Sequence, residues 1–237
     1  MPDVSVVLPT YDERESIRLL HPRLNTALSG YSAEVIVVDD ASPDGTGDLV
    51  ESLDPKGLYR LIRRPARQGL ATAVLDGISA SKGRAIVVMD ADGSHPPELI
   101  PELVKPILEG RSEFVLASRN VPGGSSPGLV GTRRAISWMA AGMARPLTTV
   151  HDPMSGFFSL DRAILGRAPL RPVGYKIGLE ILVRCRPRSV REIPFCFESR
   201  LAGVSKLNGA EVRGYVHHVM RLYAWRISGF GRASSTR

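Results

Sequence analysis

Asp90 and Asp92, in the stretch VVMDADGSHPPELI, stand one residue apart directly after an apolar run. Carboxylates that close repel each other unless a cation or solvent screens them. A strand-end turn explains the Asp92-Gly93 step, since Asp-Gly is a common turn signal. It leaves the second carboxylate without a reason. Extended backbone through Asp90, Ala91 and Asp92 would send both carboxylates to one side, where they can share a hard cation. Magnesium or manganese, held by one or two carboxylates and completed by substrate phosphates, suits such an oxygen-only site.

Two more acidic stretches occupy equivalent places. VVDDASPDGTGD pairs Asp39 and Asp40 at the end of another apolar run, and Ser42 to Gly45 then reads as a capped, tight turn. The turn does not need two carboxylates, whereas a carboxylate at a strand end can accept hydrogen bonds from a base or ribose. PTYDERESI puts Asp12, Glu13 and Glu15 at the start of a helix. The helix dipole favours negative charge there, and the same turn can wall a nucleotide pocket. His95 reads as a loop-stabilising hydrogen-bond partner and Asp152 as a positioning residue. His217 and His218 are adjacent, so they point different ways on a helix and do not form a metal pair.

The elements that must position these groups follow one rhythm through the first half. Short apolar runs at VSVVLP, EVIVVDD, LYRLI, AIVVMD and EFVLAS alternate with helical stretches. The helices cover Glu13 to Leu28, a short piece to about Leu53, Gly69 to Ala80, and Pro97 to Leu108, where Pro101 and Pro106 put the later course in question. Such strands predict a mainly parallel sheet covered by helices on both faces. Functional loops then belong at the carboxyl ends of the strands. Pro9 to Glu13, Asp39 to Thr46, Asp90 to Ser94 and Ser118 to Asn120 all fall there.

Beyond Asn120 the rhythm stops. VPGGSSPG is a connector, and Thr132 to Leu147 an amphipathic helix that mixes Arg133, Arg134 and Arg145 with Trp138, Met139 and Met143. GFFSL and VREIPFCF read as strands, GYKIGLEILVRC as a helix, and Glu211 to Ile227 as a last amphipathic helix. The expected organisation is a single domain over 1–230, divided into 1–120 and 121–230, with 231–237 a disordered tail.

Charge divides the same way. The net +7 conceals 11 basic and 17 acidic residues up to Gly110, a balance of −6, against 20 basic and 7 acidic from Arg111 onward, a balance of +13. The second half therefore suits a polyanionic partner. A nucleic-acid-binding module is disfavoured, because the basic residues are not interleaved with stacking aromatics. A NAD-dependent oxidoreductase is disfavoured by the first strand, which lacks G-x-G-x-x-G. Cys185 and Cys196 have no zinc spacing and read as two buried thiols in a reducing compartment. No signal peptide is visible and no run reaches the roughly 18 apolar residues that span a bilayer. The expected location is cytoplasmic, peripheral at a membrane's cytoplasmic face.

PTYDE, VVDDASPDGT, DADGSHPPE, ASRNVPGG, RRAIS, DPMSGFF, GYKIGLEIL and RLAGVSKL, in this order from about Val4 to Trp225, resemble glycosyltransferase family 2. These are inverting enzymes with the GT-A (nucleotide-diphospho-sugar transferase) fold, and the resemblance is closer to the polyprenol-phosphate mannose synthases among them. It implies an α/β fold with a mainly parallel central sheet covered by helices and basic amphipathic helices at the C-terminal end. By this resemblance Pro9, Tyr11, Glu13 and Asp40 line the nucleotide-sugar site with Asp39 close by. Asp90 and Asp92 hold Mg²⁺ or Mn²⁺ and the diphosphate. Arg119, Arg133 and Ser137 grip the acceptor phosphate, and Arg200 and Lys206 close over the donor phosphates. Asp92, Arg119 and Arg133 are the expected catalytic residues.

Three positions depart from the family pattern. Asp12 stands where asparagine is frequent, and Gly69-Leu70-Ala71 replaces Gly-Leu-Gly. Ser94 stands where a glutamine assists the metal, so it would act as a metal ligand through water. The implied reaction is transfer of a hexose, mannose from GDP-mannose being favoured, to a dolichyl or undecaprenyl phosphate. A related enzyme using a UDP-sugar is the alternative. The implied partners are the nucleotide diphosphate sugar, the polyprenyl phosphate, and a membrane surface or a separate membrane subunit, with no nucleic acid. Arg213, Arg221 and Arg226 with Val212, Val216, Val219, Leu222 and Tyr223 form either a solvated face or a membrane-lying one.

Overall fold

Among the residues that the structure, a computed structural model, describes (1–53, 57–127, 139–171, 176–197 and 209–228), seven strands form one sheet. They are β1 (Val4–Thr10), β2 (Ala33–Asp39), β3 (Tyr59–Arg63), β4 (Ala85–Val88), β5 (Phe114–Ser118), β6 (Phe158–Asp161) and β7 (Val190–Pro194). Their order is β3-β2-β1-β4-β6-β5-β7. All pairs are parallel except those of β6, which runs antiparallel to both β4 and β5. The expected mainly parallel sheet is present, with one reversed strand inside it, between β4 and β5.

Every residue of β1 is buried, as a central strand covered on both faces requires. Val6 and Leu8 face one way, into a core with Ile17, Leu20 and Leu24 of α1 (Arg14–Leu28) and Leu103 and Ile107 of α4 (Ile100–Leu108). Val7 faces the other way, against Val74 and Ile78 of α3 (Leu70–Ala80) and, through the sheet, Ile181 of α6 (Ile177–Cys185). Gly77 allows α3 to lie close on the sheet, because a Cβ there would come within 2.4 Å of Val7 Cγ1. The short α2 (Thr46–Ser52) follows β2. The helix in question survives its prolines. A 3-10 turn at Pro97–Leu99 leads into α4, Pro101 stands in the first turn, where no intrahelical amide bond is lost, and Pro106 comes in the last.

A third group of helices packs outside α6. Residues 139–144 (α5) and α7 (Gly209–Ile227) enclose Ala140, Ala144, Leu147, Leu179, Val183, Tyr215, Val219 and Leu222. Tyr215 donates to the Ala140 carbonyl at 2.6 Å, Tyr223 to Met143 at 2.9 Å, and Arg226 to Pro146 at 2.6 Å. This corrects the expected outer face of α7: Val219 and Leu222 point inward, and Arg226 is bound to the protein. The exposed apolar side chains are Val212, Val216, Met220 and Ile227, with Met139 on α5. Cys185 is buried but Cys196, following β7, is exposed, against the expectation of two buried thiols. Trp138, the N-terminal part of the helix predicted from Thr132, and the tail 231–237 lie outside the described residues.

Candidate active site

Six connections meet at the carboxyl edge of the parallel strands. The four expected loops follow β1, β2, β4 and β5. The reversed direction of β6 adds the segment Asp152–Phe157 to the same edge, and Phe195–Phe197 follow β7.

The loops after β1 and β2 are stapled together. Backbone amides of Asp12, Glu13 and Arg14, at the entrance of α1, donate to Ser42 Oγ, Thr46 Oγ1 and Asp44 Oδ2 at 3.0, 3.1 and 3.0 Å. The anion at this helix start is thus Asp44, from a neighbouring loop, and its carboxyl lies below the ordinary value. Burial pulls it up, but hydrogen bonds from the Thr46 hydroxyl and the Arg14 and Thr46 amides prevail. Asp12 has φ +58, a left-handed conformation that asparagine and aspartate tolerate better than other side chains. The departure from asparagine at this position therefore keeps the backbone requirement. Pro9 is buried at the end of β1, while Tyr11 and Glu13 are half-buried beyond it.

Asp39 and Asp40 are both buried, and the protein itself engages them. Asp39 accepts from Thr10 Oγ1 at 3.2 Å and Ser42 Oγ at 2.5 Å. Asp40 Oδ1 accepts from Arg64 Nη1 at 2.8 Å and the Gln68 amide at 2.9 Å, and its Oδ2 accepts from the Gly69 amide at 2.8 Å. Acceptance from a base or ribose was the expected role of such a carboxylate. In this geometry Asp40 primarily clamps the turn between β3 and α3. Arg67, one residue before that clamp, lies over the Tyr11 ring, 4.0 Å from its centroid.

The metal motif is a turn, not a strand end. β4 stops at Val88, two residues before Asp90, so strand alternation does not set the carboxylates' directions. Gly93, at φ +81, turns the chain back. Asp92 is buried and its Oδ1 accepts from the Ser94 amide at 3.0 Å and the Ser94 hydroxyl at 2.6 Å. Ser94, expected as a metal ligand, is fully buried and oriented toward Asp92, which makes it a support for that carboxylate. The Asp90 side chain is 37% exposed and its amide donates to His95 Nδ1 at 2.9 Å. His95 is therefore the loop partner that was expected. Burial, the largest influence, holds its imidazole below the ordinary value against the opposing pull of Asp90 and Asp92. Its ring stacks on Phe157 at 5.0 Å and meets Phe195 and Phe197 edge-on.

Two hard carboxylates, one of them open to solvent, fit a magnesium-type ion that keeps waters and takes phosphate oxygens. Among the described residues no cluster of three or more acidic, histidine or cysteine side chains could cage a metal, which leaves positions that substrate phosphates and water can fill.

Arg119, after β5, reaches the same aromatic group, its guanidinium 5.6 Å from the Phe197 ring. Asp152 holds it with two side-chain bonds, Nε to Oδ2 at 2.7 Å and Nη2 to Oδ1 at 2.8 Å. Lys176 Nζ donates to the Met154 carbonyl in the same segment. A Cβ on Gly156 would lie 3.8 Å from both Asp90 carboxylate oxygens, so this segment runs from the Arg119 support to the metal motif. Arg133, Ser137, Arg200 and Lys206 lie outside the described residues. Arg64, Gln68, Arg67 and Lys176 belong to the site without having carried a functional signal in the sequence. RRPARQG carried a signal only in its glycine after a strand, since its arginines look like solvated surface.

The sequence profile of glycosyl transferase family 2 matches residues 5–167. Dolichol-phosphate mannosyltransferase of Pyrococcus furiosus is 41% identical over 226 residues, covering 94% of this chain, which spans only 64% of that protein's length. Dolichol-phosphate mannosyltransferase of Saccharomyces cerevisiae is 39% identical over 94% of this chain and 88% of its own length. Among solved structures, glucosyl-3-phosphoglycerate synthase from Mycobacterium tuberculosis in complex with Mn²⁺ and UDP-glucose has a TM-score of 0.71. It covers 93% of this chain and 79% of that one at 22% identity, a likeness of fold.

Proposed function

The chain belongs to glycosyl transferase family 2 and is a glycosyltransferase of GT-A fold, and from that premise we propose that it transfers mannose from GDP-mannose to a dolichyl or undecaprenyl phosphate, inverting the anomeric carbon. The observation that carries this reading is 37–41% identity to three dolichol-phosphate mannosyltransferases over 94–95% of this chain.

The acceptor phosphate needs no general base, because its oxygen is already ionised near neutral pH. A bond forms between that oxygen and the anomeric carbon while the bond to the donor diphosphate breaks, the electron pair leaving on the diphosphate. Asp152 fits this scheme as a support, since Arg119 occupies it. Arg119 presents a planar guanidinium to the acceptor phosphate, and Arg133 and Ser137 complete the grip. Asp90 and Asp92 hold Mg²⁺ or Mn²⁺, which supplies charge neutralisation to the leaving diphosphate. Pro9, Tyr11, Glu13, Asp39 and Asp40 build the nucleotide wall, with Arg200 and Lys206 closing on the donor phosphates.

The lipid tail of the acceptor stays in a membrane, and no described helix is long and apolar enough to cross one. The exposed row Val212, Val216 and Met220 on α7, four residues apart and next to the buried Val219 and Leu222, supports contact with a membrane surface, with Arg213 exposed beside it.

Purified protein with magnesium, a short polyprenyl phosphate and a panel of nucleotide sugars tests the reading. Mannosyl transfer from GDP-mannose to the lipid is expected. Transfer only from a UDP-sugar would replace the donor, and absence of any lipid product with every donor would overturn the reading.

A further inference from the structure

The end of β3 and the turn from it into α3 carry three arginines, and two are paired with carboxylates of the protein. Arg63 pairs with Asp48 at 2.6 Å and Glu51 at 2.9 Å. Arg64 pairs with Asp40 at 2.8 Å and Asp76 at 3.1 Å, and it also donates to Gln68 and Thr72. Arg67 is exposed and, among the described residues, makes no hydrogen bond or ion pair; its one contact of note is the Tyr11 ring face. Its position is nonetheless fixed. The next two amides, of Gln68 and Gly69, are bound to Asp40, and Gly69 at φ +99 then turns the chain into α3. A stacked guanidinium uses its face on the ring and keeps its N–H edge for another ligand.

We propose that Arg67 reads the base of the donor nucleotide and selects guanine through the O6 and N7 acceptors. The proposal rests on the reading that Tyr11 and Asp40 wall the nucleotide site. Guanine offers two adjacent acceptors that a donor-only fork matches in both teeth. Adenine sets an amino donor beside N7, and uracil sets an N–H donor beside O4, so either would leave one tooth of the fork facing a donor. Arg67 and Tyr11 would thus form a bracket, with the ring holding the guanidinium's plane and the fork's edge reading the base.

Titration calorimetry on the full chain with Mg²⁺ tests this, using GDP, 7-deaza-GDP and UDP as ligands. The proteins are wild type, Arg67→Ala and Arg67→Lys. Wild type should bind GDP more tightly than UDP, and 7-deaza-GDP about ten- to a hundredfold more weakly than GDP. Arg67→Ala should weaken GDP by a similar factor, leave UDP within about threefold, and abolish the distinction between GDP and its 7-deaza analogue. Arg67→Lys should keep charge but recover little of that distinction. Because Arg67 is exposed, unchanged melting of the variants confirms that folding is not what is read. Equal binding of GDP by wild type and Arg67→Ala would overturn the proposal, as would equal loss of GDP and UDP, which marks a charge contact alone. Tighter binding of UDP than GDP by wild type would instead reject the guanine donor itself.

Discussion

Asp152, fully buried, accepts three hydrogen bonds from Arg119: from its amide at 3.0 Å, its Nε at 2.7 Å and its Nη2 at 2.8 Å. Burial, the largest influence, works to raise the Asp152 carboxyl, yet the bonds and charge of Arg119 hold it below the ordinary value. A depressed native value means the stabilisation is complete above the unfolded value, about 3.9, and is lost as pH falls through the native one. Asp152→Asn should therefore lower stability by about 3–5 kcal/mol at pH 7, the usual effect of breaking a buried pair. Urea titrations should show the gap to wild type closing below about pH 4. A gap independent of pH down to full acid unfolding would refute the ionic role.

Arg119→Ala removes a charge-assisted contact of about 1.5–3 kcal/mol from the acceptor phosphate. Lipid phosphate should bind about ten- to a hundredfold more weakly, with GDP-mannose affinity nearly unchanged. Calorimetry showing the reverse pattern would transfer Arg119 to the donor side.

Asp92→Asn should abolish turnover and leave the fold intact. The asparagine carbonyl can still accept from the Ser94 amide and hydroxyl, so the turn keeps its bonds while losing the charge a cation needs. Circular dichroism checks the fold and a lipid-transfer assay the activity. Full wild-type activity in excess chelator would remove the metal from the scheme.

Arg64 is a structural arginine. Its side chain is 4% exposed and it pairs with an Asp40 side chain that is 7% exposed. Arg64→Ala leaves that carboxylate with two amides only and should cost about 3–5 kcal/mol. Chemical denaturation measures it, and a change under about 1 kcal/mol, the range of surface pairs, would contradict the clamp.

The outer row of α7 separates folding from membrane binding. Val216→Asp with Met220→Asp should leave the melting temperature within a few degrees, because both side chains are exposed. The same double variant should fail to co-sediment with anionic liposomes at low salt, where wild type binds and is released at high salt. Leu222→Asp should destabilise the fold instead. Wild type remaining in the supernatant with anionic and neutral vesicles alike would assign membrane attachment to a separate subunit.

The first five strands were readable because a parallel strand buried on both faces is a continuous apolar run. The direction of β6 was not, since GFFSL looks the same either way round. Its reversal follows from the intervening chain returning along the carboxyl edge. Arg64 was hidden by distance: its partner Asp40 lies 24 residues earlier, and arginine beside a glycine turn resembles solvated surface. The two sides of α7 were ambiguous because Val212, Val216 and Met220 are as apolar as Tyr215, Val219 and Leu222. Packing against α5 and α6 decided between them. The metal pair was singled out by its chemistry, but on a strand alternation that ends at Val88.

The placement of β6 governs how the chain is made as well as how it works. β4 and β5 are not paired with each other; β6 lies between them, with Ala85 opposite Asp161 and Phe114 opposite Leu160. A nascent chain that has emerged only as far as β5 therefore exposes an open strand edge on β4, a template for wrong pairing. That edge stays open for the synthesis of some forty further residues, several seconds at about 5–20 residues per second. The sheet of the donor-side half is thus unfinished until β6 is made. Assembly of the sheet waits for the segment that also brings Asp152 to Arg119, so no partly made chain can present the metal loop and the arginine support together.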